Sequence, residues 1–283
     1  MKHTYIIAEA GVNHNGSEEL AFKLVDAAYN SGVDAVKFQT FKASKLATSY
    51  AKQAGYQEKN TGKTESQLEM LSRLELSYDS HHKLIGYCKK LKIDFLSTAF
   101  DSESLSFLVN DLGLTRLKIP SGDITNAPLV LEHARTGCDL IVSTGMATLS
   151  EIETVLGVIA FGYTVDKESK VSIEAFQAAY YSERGQKALK EKVTVLHCTT
   201  EYPAPMEDIN LEAMKTLAAS FKLEIGYSDH SKGITVPIAA VAHGASIIEK
   251  HFTDSKQRKG PDIICSMDPK ELFFLKKMVF QLV

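Results

Sequence analysis

Two lysines close short apolar runs, together with several hydroxyl side chains. Lys37 and Lys118 end otherwise apolar segments, and Thr98, Ser121 and Ser143 end or follow similar ones. Two ammonium groups with several hydroxyls suit a small, multiply charged anion such as a phosphorylated carboxylate. The alternative is that each lysine pairs with a buried carboxylate of the protein itself.

Two histidines end the last two apolar runs. If these runs form neighbouring strands, His230 and His251 lie within reach of one metal ion. Two imidazoles favour Mn, Fe, Co, Zn or Cu over Ca, and two protein ligands leave positions open for substrate and water. Glu249 or Asp229 would then orient a ring or a metal-bound water. The alternative is two hydrogen-bonded core histidines.

A single carboxylate, Glu9, lies among apolar neighbours in the first run. Desolvation would raise its pKa and suit it to proton transfer. The alternative is a structural carboxylate paired with a lysine. The cysteines, including Cys198, are interpreted as structural, because no activating neighbours are visible around them.

Eight apolar, β-branched runs alternate with amphipathic segments along the whole chain. Continuous apolar character is typical of strands buried on both faces. Strict alternation of eight strands with eight helices predicts a (β/α)8 TIM barrel of the α/β class. A doubly wound sheet is the competing fold, but no G-x-G-x-x-G or Walker loop supports it. The predicted strands are Tyr5–Ala8, Ala35–Phe38, Asp94–Ser97, Arg116–Ile119, Leu140–Ser143, Val193–His197, Glu224–Tyr227 and Ser246–Lys250.

Two connections between these elements are unusually long. Thr40–Tyr78 follows a strand and should lie over the active face, with one helix around Gln67–Leu74. Gly162–Lys192 precedes a strand and should lie at the opposite face, with an extra helix near Ser172–Tyr181. The other predicted helices begin at Ser17 or cover Ser80–Leu91, Ser102–Leu112, Ala127–Arg135, Leu149–Ala160, Leu211–Phe221, Ile234–His243 and Lys270–Leu282.

Composition limits the classes of protein that fit. The 283 residues carry 32 basic and 35 acidic side chains, a net charge of −3, which lacks the basic excess of a non-specific nucleic-acid binder. No run approaches the ~20 apolar residues of a membrane span. Four dispersed cysteines without a C-x-x-C pair predict a reducing, cytoplasmic location.

Seven sequence blocks carry a resemblance that covers nearly the whole chain. They are IIAEAGVNHNGS (6–17), AVKFQTFKASKL (35–46), LKIPSGD (117–123), IVSTGMAT (141–148), LHCTTEYPAP (196–205), IGYSDHSKGI (225–234) and IEKHFTDS with GPD (248–262). Together they resemble the sialic acid synthase family. Its members condense phosphoenolpyruvate with N-acetylmannosamine or a related hexose to form a nonulosonic acid, on a TIM barrel.

The resemblance implies a role for each matching residue. It implies a transferase that forms a carbon–carbon bond, a homodimer, and a divalent metal, Mn²⁺ foremost with Mg²⁺ or Co²⁺ as alternatives. The implied residues are Glu9, His230 and His251 in catalysis; Lys37, Thr98, Lys118, Ser121 and Ser143 for phosphoenolpyruvate; Gln39, Tyr202, Asp262 and Glu249 on the sugar side; and His230 and His251 for the metal.

Some positions depart from the family pattern. Thr200, Asp123, Ala99 and Ile263 replace a frequent asparagine, glutamate, proline and histidine, which leaves the sugar open. The acceptor is N-acetylmannosamine, a legionaminic acid precursor or N-acetylmannosamine 6-phosphate. Residues 1–283 are expected to form one barrel domain without the antifreeze-like domain that, in the family, brings an arginine to the partner's sugar site.

Two rival functions remain open. One is a metal-dependent aldolase or hydrolase on an equivalent barrel, which would not require phosphoenolpyruvate. The other is a barrel without catalytic activity that binds anions as a regulator or assembly partner.

Overall fold

Eight parallel strands close into a barrel in the computed structural model, which describes residues 3–282. Each strand pairs with the next along the chain, and the last pairs with the first. The (β/α)8 prediction is therefore confirmed, while the ends of the predicted domain 1–283 lie outside the described residues. The strands are β1 (Tyr5–Gly11), β2 (Ala35–Thr40), β3 (Asp94–Ala99), β4 (Arg116–Ile119), β5 (Asp139–Ser143), β6 (Val193–His197), β7 (Glu224–Asp229) and β8 (Ile247–His251).

Helices separate the strands and pack outside the barrel. Most begin with a side-chain cap; Ser17, for example, accepts a hydrogen bond from the Leu20 amide. The helices are α1 (Glu18–Asn30), α2 (Ala43–Leu46), α3 (Gly55–Thr61), α4 (Gln67–Leu74), α5 (Tyr78–Leu91), α6 (Ser102–Ser106), α7 (Ala127–Arg135), α8 (Leu149–Thr164), α9 (Ile173–Tyr181), α10 (Glu183–Lys192), α11 (Glu212–Phe221), α12 (Thr235–Ala242) and α13 (Pro269–Leu282). In the described part of the chain, no helix combines the length and the apolar character needed to cross a bilayer.

The apolar core has two main parts. The larger one lies between the strands and the helices and holds most of the buried aliphatic side chains. The smaller one fills the floor of the barrel with Ile7, Ala35, Leu96, Ile141, Leu196 and Ile247. The floor closes one end of the barrel, so that only the other end can admit a ligand.

The two long connections carry more helix than predicted. The segment after β2 contains α2 and α3 in addition to the predicted α4. The segment before β6 contains α10 in addition to the predicted helix, which is α9. The expected placement of this second segment needs correction, because α9 lies along α8: Phe176 packs on Phe161, and Tyr181 donates a hydrogen bond to Glu153.

Candidate functional site

Strand alternation explains how the predicted residues reach one cavity. Side chains two positions apart on a strand point to the same face. Each floor residue is therefore followed, two positions later, by a side chain directed into the barrel above the floor. These side chains are Glu9, Lys37, Thr98, Ser143, Cys198 and Glu249. Five of the six are predicted site residues.

Buried charges of both signs alternate above the floor. The Lys37 ammonium lies 2.7 Å from Glu9 Oε2 and 3.5 Å from Glu249 Oε2. Lys118 lies 3.2 Å from Glu249 Oε1, so that Glu249 bridges the two lysines. All four side chains are at most 6% exposed. The structure thus shows the alternative interpretation, in which each lysine pairs with a buried carboxylate.

Hydroxyl groups complete this cluster. Lys37 donates a hydrogen bond to Thr98 Oγ1 at 2.9 Å, and Ser228 donates one to Glu249 Oε1 at 2.8 Å. Removing one partner of a buried ion pair leaves an uncompensated charge, which is costly. An incoming anion can therefore replace Glu9 or Glu249 as the partner of a lysine only if the displaced carboxylate keeps another partner.

The two carboxylates of the cluster differ in acidity. Burial raises the pKa of Glu9, although Lys37 opposes this shift. Burial also acts on Glu249, but the pKa of its carboxyl is held well below the usual value by Lys118, Lys37 and the Ser228 hydroxyl. Two carboxyl groups with separated pKa values can divide acid and base roles. Glu9 is the one suited to carry a proton.

Close packing shapes the side of the cavity formed by the ends of β4, β5 and β6. Ser121 Oγ accepts a hydrogen bond from the Gly145 amide at 2.9 Å and lies 3.1 Å from Cys198 Sγ. A Cβ atom on Gly145 would lie 2.1 Å from Thr200 Oγ1. Ser143 is 2% exposed, and its hydroxyl has no hydrogen-bond partner. We call Ser121, Ser143, Gly145, Cys198 and Thr200 the hydroxyl cradle.

The predicted histidine pair forms on adjacent strands. The ring centroids of His230 and His251 are 5.8 Å apart. His230 Nδ1 donates a hydrogen bond to the Thr199 carbonyl at 2.6 Å, which leaves Nε2 as the bare nitrogen of the neutral ring. His251 Nδ1 is buried without a hydrogen-bond partner and lies 3.9 Å from Asp262 Oδ2.

These two rings fit a divalent metal. Burial lowers the pKa of both, and His230 lowers that of His251 further, so both are neutral at pH 7 and have a lone pair available. Within residues 3–282, no third His, Cys, Asp or Glu completes a three-residue metal group with them. In this part of the chain the arrangement therefore offers two imidazole nitrogens, and the metal remains a prediction.

Asp229 forms an ion pair with Lys250 behind the two histidines. Its carboxylate is fully buried and accepts a hydrogen bond from Lys250 at 2.5 Å, while Lys250 also donates to the Ser231 carbonyl. Because side chains alternate along a strand, Asp229 and Lys250 point away from the cavity. The pair ties β7 to β8 behind the histidines.

Aromatic rings line the side of the cavity next to the histidines. Tyr202 packs against His230 at a tilt of 34°, with centroids 4.1 Å apart, and meets His251 edge-on at 5.8 Å. Tyr56, from α3, stacks on Tyr202 at 5.4 Å. Burial raises the pKa of the nearby Asp262 to about 7, with a further contribution from Glu9.

The twelve predicted site residues thus lie at the same end of the barrel, and the last of them, Gln39, donates to Glu9 Oε1 at 3.3 Å. Residues outside the predicted set also line the site, among them Gly145 and Tyr56 in addition to Cys198, Thr200 and Ser228. Gly145 is marked only by its place in the STGM block, two residues after Ser143. Tyr56 has no local signal beyond being an aromatic residue in a polar connection.

Several relatives of the chain are named as acid synthases. An N,N'-diacetyllegionaminic acid synthase of Campylobacter jejuni is 48% identical over 282 residues, covering 100% of this chain and 77% of that protein. An enzyme of the same name from Legionella pneumophila is 47% identical and covers 95% of this chain and 69% of its own length. The crystal structure of an N-acetylneuraminic acid (sialic acid) synthetase from Leptospira borgpetersenii superposes with a TM-score of 0.79 at 33% identity, covering 99% of this chain and 83% of that one.

The sequence profile of one family covers nearly the whole chain. It matches residues 24–282 and is described as the NeuB family. The predicted relationship to sialic acid synthases, and with it the prediction of a synthase, is therefore confirmed. With the barrel and the sequence blocks in agreement, this chain belongs to the NeuB family.

Proposed function

We propose that this chain condenses phosphoenolpyruvate with the open-chain aldehyde of an N-acetylated hexosamine to give a nonulosonic acid and phosphate. The observation that carries the proposal is the buried Lys37–Glu249–Lys118 chain of charges beside two neutral histidines. Two lysines that can bind an anionic substrate thus lie next to two histidines that can bind a Lewis-acidic metal ion. The names of the relatives support the same reaction class.

Phosphoenolpyruvate would be held by the lysines and the hydroxyl groups. Lys37 and Lys118 offer two ammonium groups, and Thr98 already hydrogen-bonds to Lys37. The Ser143 hydroxyl is buried without a partner, and Ser121 lines the same cradle. An unsatisfied buried hydroxyl costs free energy that a bound phosphate or carboxylate oxygen would recover.

The reaction needs one new carbon–carbon bond and one added water. C3 of phosphoenolpyruvate attacks the aldehyde carbon, water adds to C2 of the resulting cation, and phosphate leaves with cleavage of the C2–O bond. Glu9 is the candidate for accepting the proton of the added water. Burial raises the pKa of its carboxyl, and Lys37 stabilises its charged form.

The histidine pair would hold the metal. Mn²⁺ is the proposed ion, with Mg²⁺ or Co²⁺ as alternatives, and His230 and His251 are its proposed ligands. When bound, such an ion supplies Lewis acidity toward a carbonyl oxygen. Glu249, kept ionised by Lys37 and Lys118, would accept a hydrogen bond from a water molecule near these rings.

The sugar would lie along Gln39, Tyr202 and Asp262. These groups are neutral or acidic, which disfavours an acceptor that carries a phosphate. Between the unphosphorylated acceptors, the two relatives at 48% and 47% identity favour the diacetylated legionaminic acid precursor over N-acetylmannosamine.

We further propose that the enzyme works as a homodimer in the cytoplasm. All four cysteines are buried and unpaired, as a reducing compartment would allow. Light scattering of the purified protein tests the dimer: a mass twice that of the chain is expected, and a monomeric mass would contradict it.

Phosphate release measured with phosphoenolpyruvate, Mn²⁺ and a panel of hexosamines tests the proposed reaction. Release should require both substrates and should fall at least about 100-fold in Lys118→Met, because the phosphorylated substrate loses a buried charge partner. Lys45→Met, which removes an exposed lysine, should leave the rate unchanged. Phosphoenolpyruvate binding without release from any acceptor would instead indicate an anion-binding barrel.

A further inference from the structure

Three rings lie in sequence beside the cavity. His230 is one of the proposed metal ligands, Tyr202 packs against it at a tilt of 34°, and Tyr56 stacks on Tyr202. The centroid separations are 4.1 Å and then 5.4 Å. A sugar with its aldehyde carbon near the histidines and its chain along Tyr202 would bring its far end to Tyr56.

The helix that carries Tyr56 is tied to the loop that follows β8. Asn60, on the same helix α3, donates a hydrogen bond to the Pro261 carbonyl at 2.7 Å, in the loop that carries Asp262. At the base of the connection, Lys52 pairs with Ser66 in a short antiparallel bridge, and the Gln67 amide donates to the Ala51 carbonyl. The α3 helix is therefore held in a fixed position at one side of the site.

The chemistry of this side of the site suits the uncharged end of a sugar derivative. Two nearly parallel tyrosine rings, 21° apart, offer an apolar face with hydroxyl groups at the edge. Such a surface packs well against C–H groups and against the flat acetamido group. Asp262 lies near Tyr56, and its charge raises the pKa of that tyrosine in addition to burial.

We infer that Tyr56 is a specificity-determining residue that contacts the half of the acceptor farthest from the aldehyde, where a second acetamido group would lie. This inference rests on the proposed function, since it assigns the orientation of the acceptor. N-acetylmannosamine has its single acetamido group next to the aldehyde carbon, so a second one must lie farther along the chain. The two related synthases named for a diacetylated product support such an acceptor.

The test compares two acceptors, one with and one without an acetamido group in the half of the sugar farthest from the aldehyde. Dissociation constants for N-acetylmannosamine and for a diacetamido hexose are measured by titration calorimetry with Mn²⁺ present and phosphoenolpyruvate left out, so that no reaction occurs, and kcat/KM is measured separately for both. The wild type should favour the diacetamido sugar. Tyr56→Ala should reduce that preference by about tenfold or more, as expected for the loss of a set of apolar contacts.

Matched variants separate specificity from folding. Tyr56→Phe should keep the preference, because the stacking ring remains. Tyr50→Ala removes a tyrosine of the same connection that is 92% exposed, and it should change nothing. Tyr56→Leu keeps apolar bulk without a ring and replaces the alanine variant if that one does not fold. Affinity for phosphoenolpyruvate should be the same in all of them.

Each result has a distinct meaning. An unchanged ratio between the two acceptors in Tyr56→Ala and Tyr56→Leu would overturn the inference. So would an equal loss of affinity for phosphoenolpyruvate. Failure of the wild-type protein to release phosphate with either acceptor would count against the proposed function, while the binding ratio would still decide the role of Tyr56.

Discussion

Filling the hydroxyl cradle with one methyl group should weaken phosphoenolpyruvate binding. In Gly145→Ala, the new Cβ would lie 2.1 Å from Thr200 Oγ1, 2.9 Å from Cys198 Sγ and 3.0 Å from Ser121 Oγ. To reach an ordinary contact of 3.4 Å, the Thr200 hydroxyl must move by about 1.3 Å, and the other two groups by less. Ser121 is a proposed substrate ligand, so this displacement acts directly on the binding site.

The size of the effect follows from the cost of overpacking. Inserting a methyl group into a well-packed region costs about 1–3 kcal/mol. If phosphoenolpyruvate binding must push Ser121 back to its original position, this cost is subtracted from the binding free energy. A loss of about 1–3 kcal/mol corresponds to about a 5- to 150-fold higher Kd. We expect at least about a fivefold increase.

Titration calorimetry with phosphoenolpyruvate provides the measurement, and circular dichroism verifies folding. Gly122→Ala is the control, because it is one residue from Ser121 and a Cβ there meets nothing within 4 Å. Its Kd should stay within about twofold of the wild type. A folded Gly145→Ala protein with wild-type affinity would refute the assignment of the cradle to this substrate.

Three further predictions concern the histidines and a buried ion pair. His230→Ala and His251→Ala should each lower the Mn²⁺ content found by elemental analysis. The control is His197→Ala, which should keep its metal because His197 Nε2 is hydrogen-bonded to the Ile209 carbonyl. Equal metal content in all three variants would contradict the metal site. Burial lowers the pKa of His14 to about 3, so the unfolded chain takes up its proton first as pH falls below about 6.5 and stability is lost toward pH 3. His14→Gln should therefore reduce the loss of unfolding free energy between pH 7 and 4.5 by about 2–3 kcal/mol, and an unchanged pH dependence in denaturant titrations would contradict this. Lys250→Met should lower the unfolding free energy by about 3–5 kcal/mol by isolating Asp229; a loss below 1 kcal/mol would show that Asp229 is neutral or hydrated.

The strands could be read from the sequence because their inner halves are continuously apolar. All eight predicted runs correspond to strands, but β1, β2, β3 and β7 extend two or three residues further than predicted. Polar residues such as Glu9, Gln39 and Asp229 end the apolar pattern while the backbone continues to pair. The barrel interior above the floor is polar, which separates the end of the hydrophobic run from the end of the strand.

The parts that could not be predicted depend on contacts distant in sequence. The α3 helix is short and polar, and its position depends on the Asn60–Pro261 hydrogen bond and the Tyr56–Tyr202 stack. Likewise, the sequence alone could not decide whether the lysines face an anion or a carboxylate, because Glu249 lies more than 130 residues from Lys118. Asp229 and Glu249 looked equivalent until strand alternation directed one outward and the other inward.

Oxygen-18 labelling of phosphoenolpyruvate tests the central claim most directly, since that claim is the joining of C3 to an aldehyde with addition of water at C2. The label is placed in the bridging oxygen, and the products are analysed by mass spectrometry after reaction with the best acceptor of the panel. The proposed reaction predicts that the label appears in the released phosphate, because the C2–O bond breaks. Label retained in the sugar acid would mean that the phosphorus–oxygen bond breaks, and it would contradict the proposed reaction.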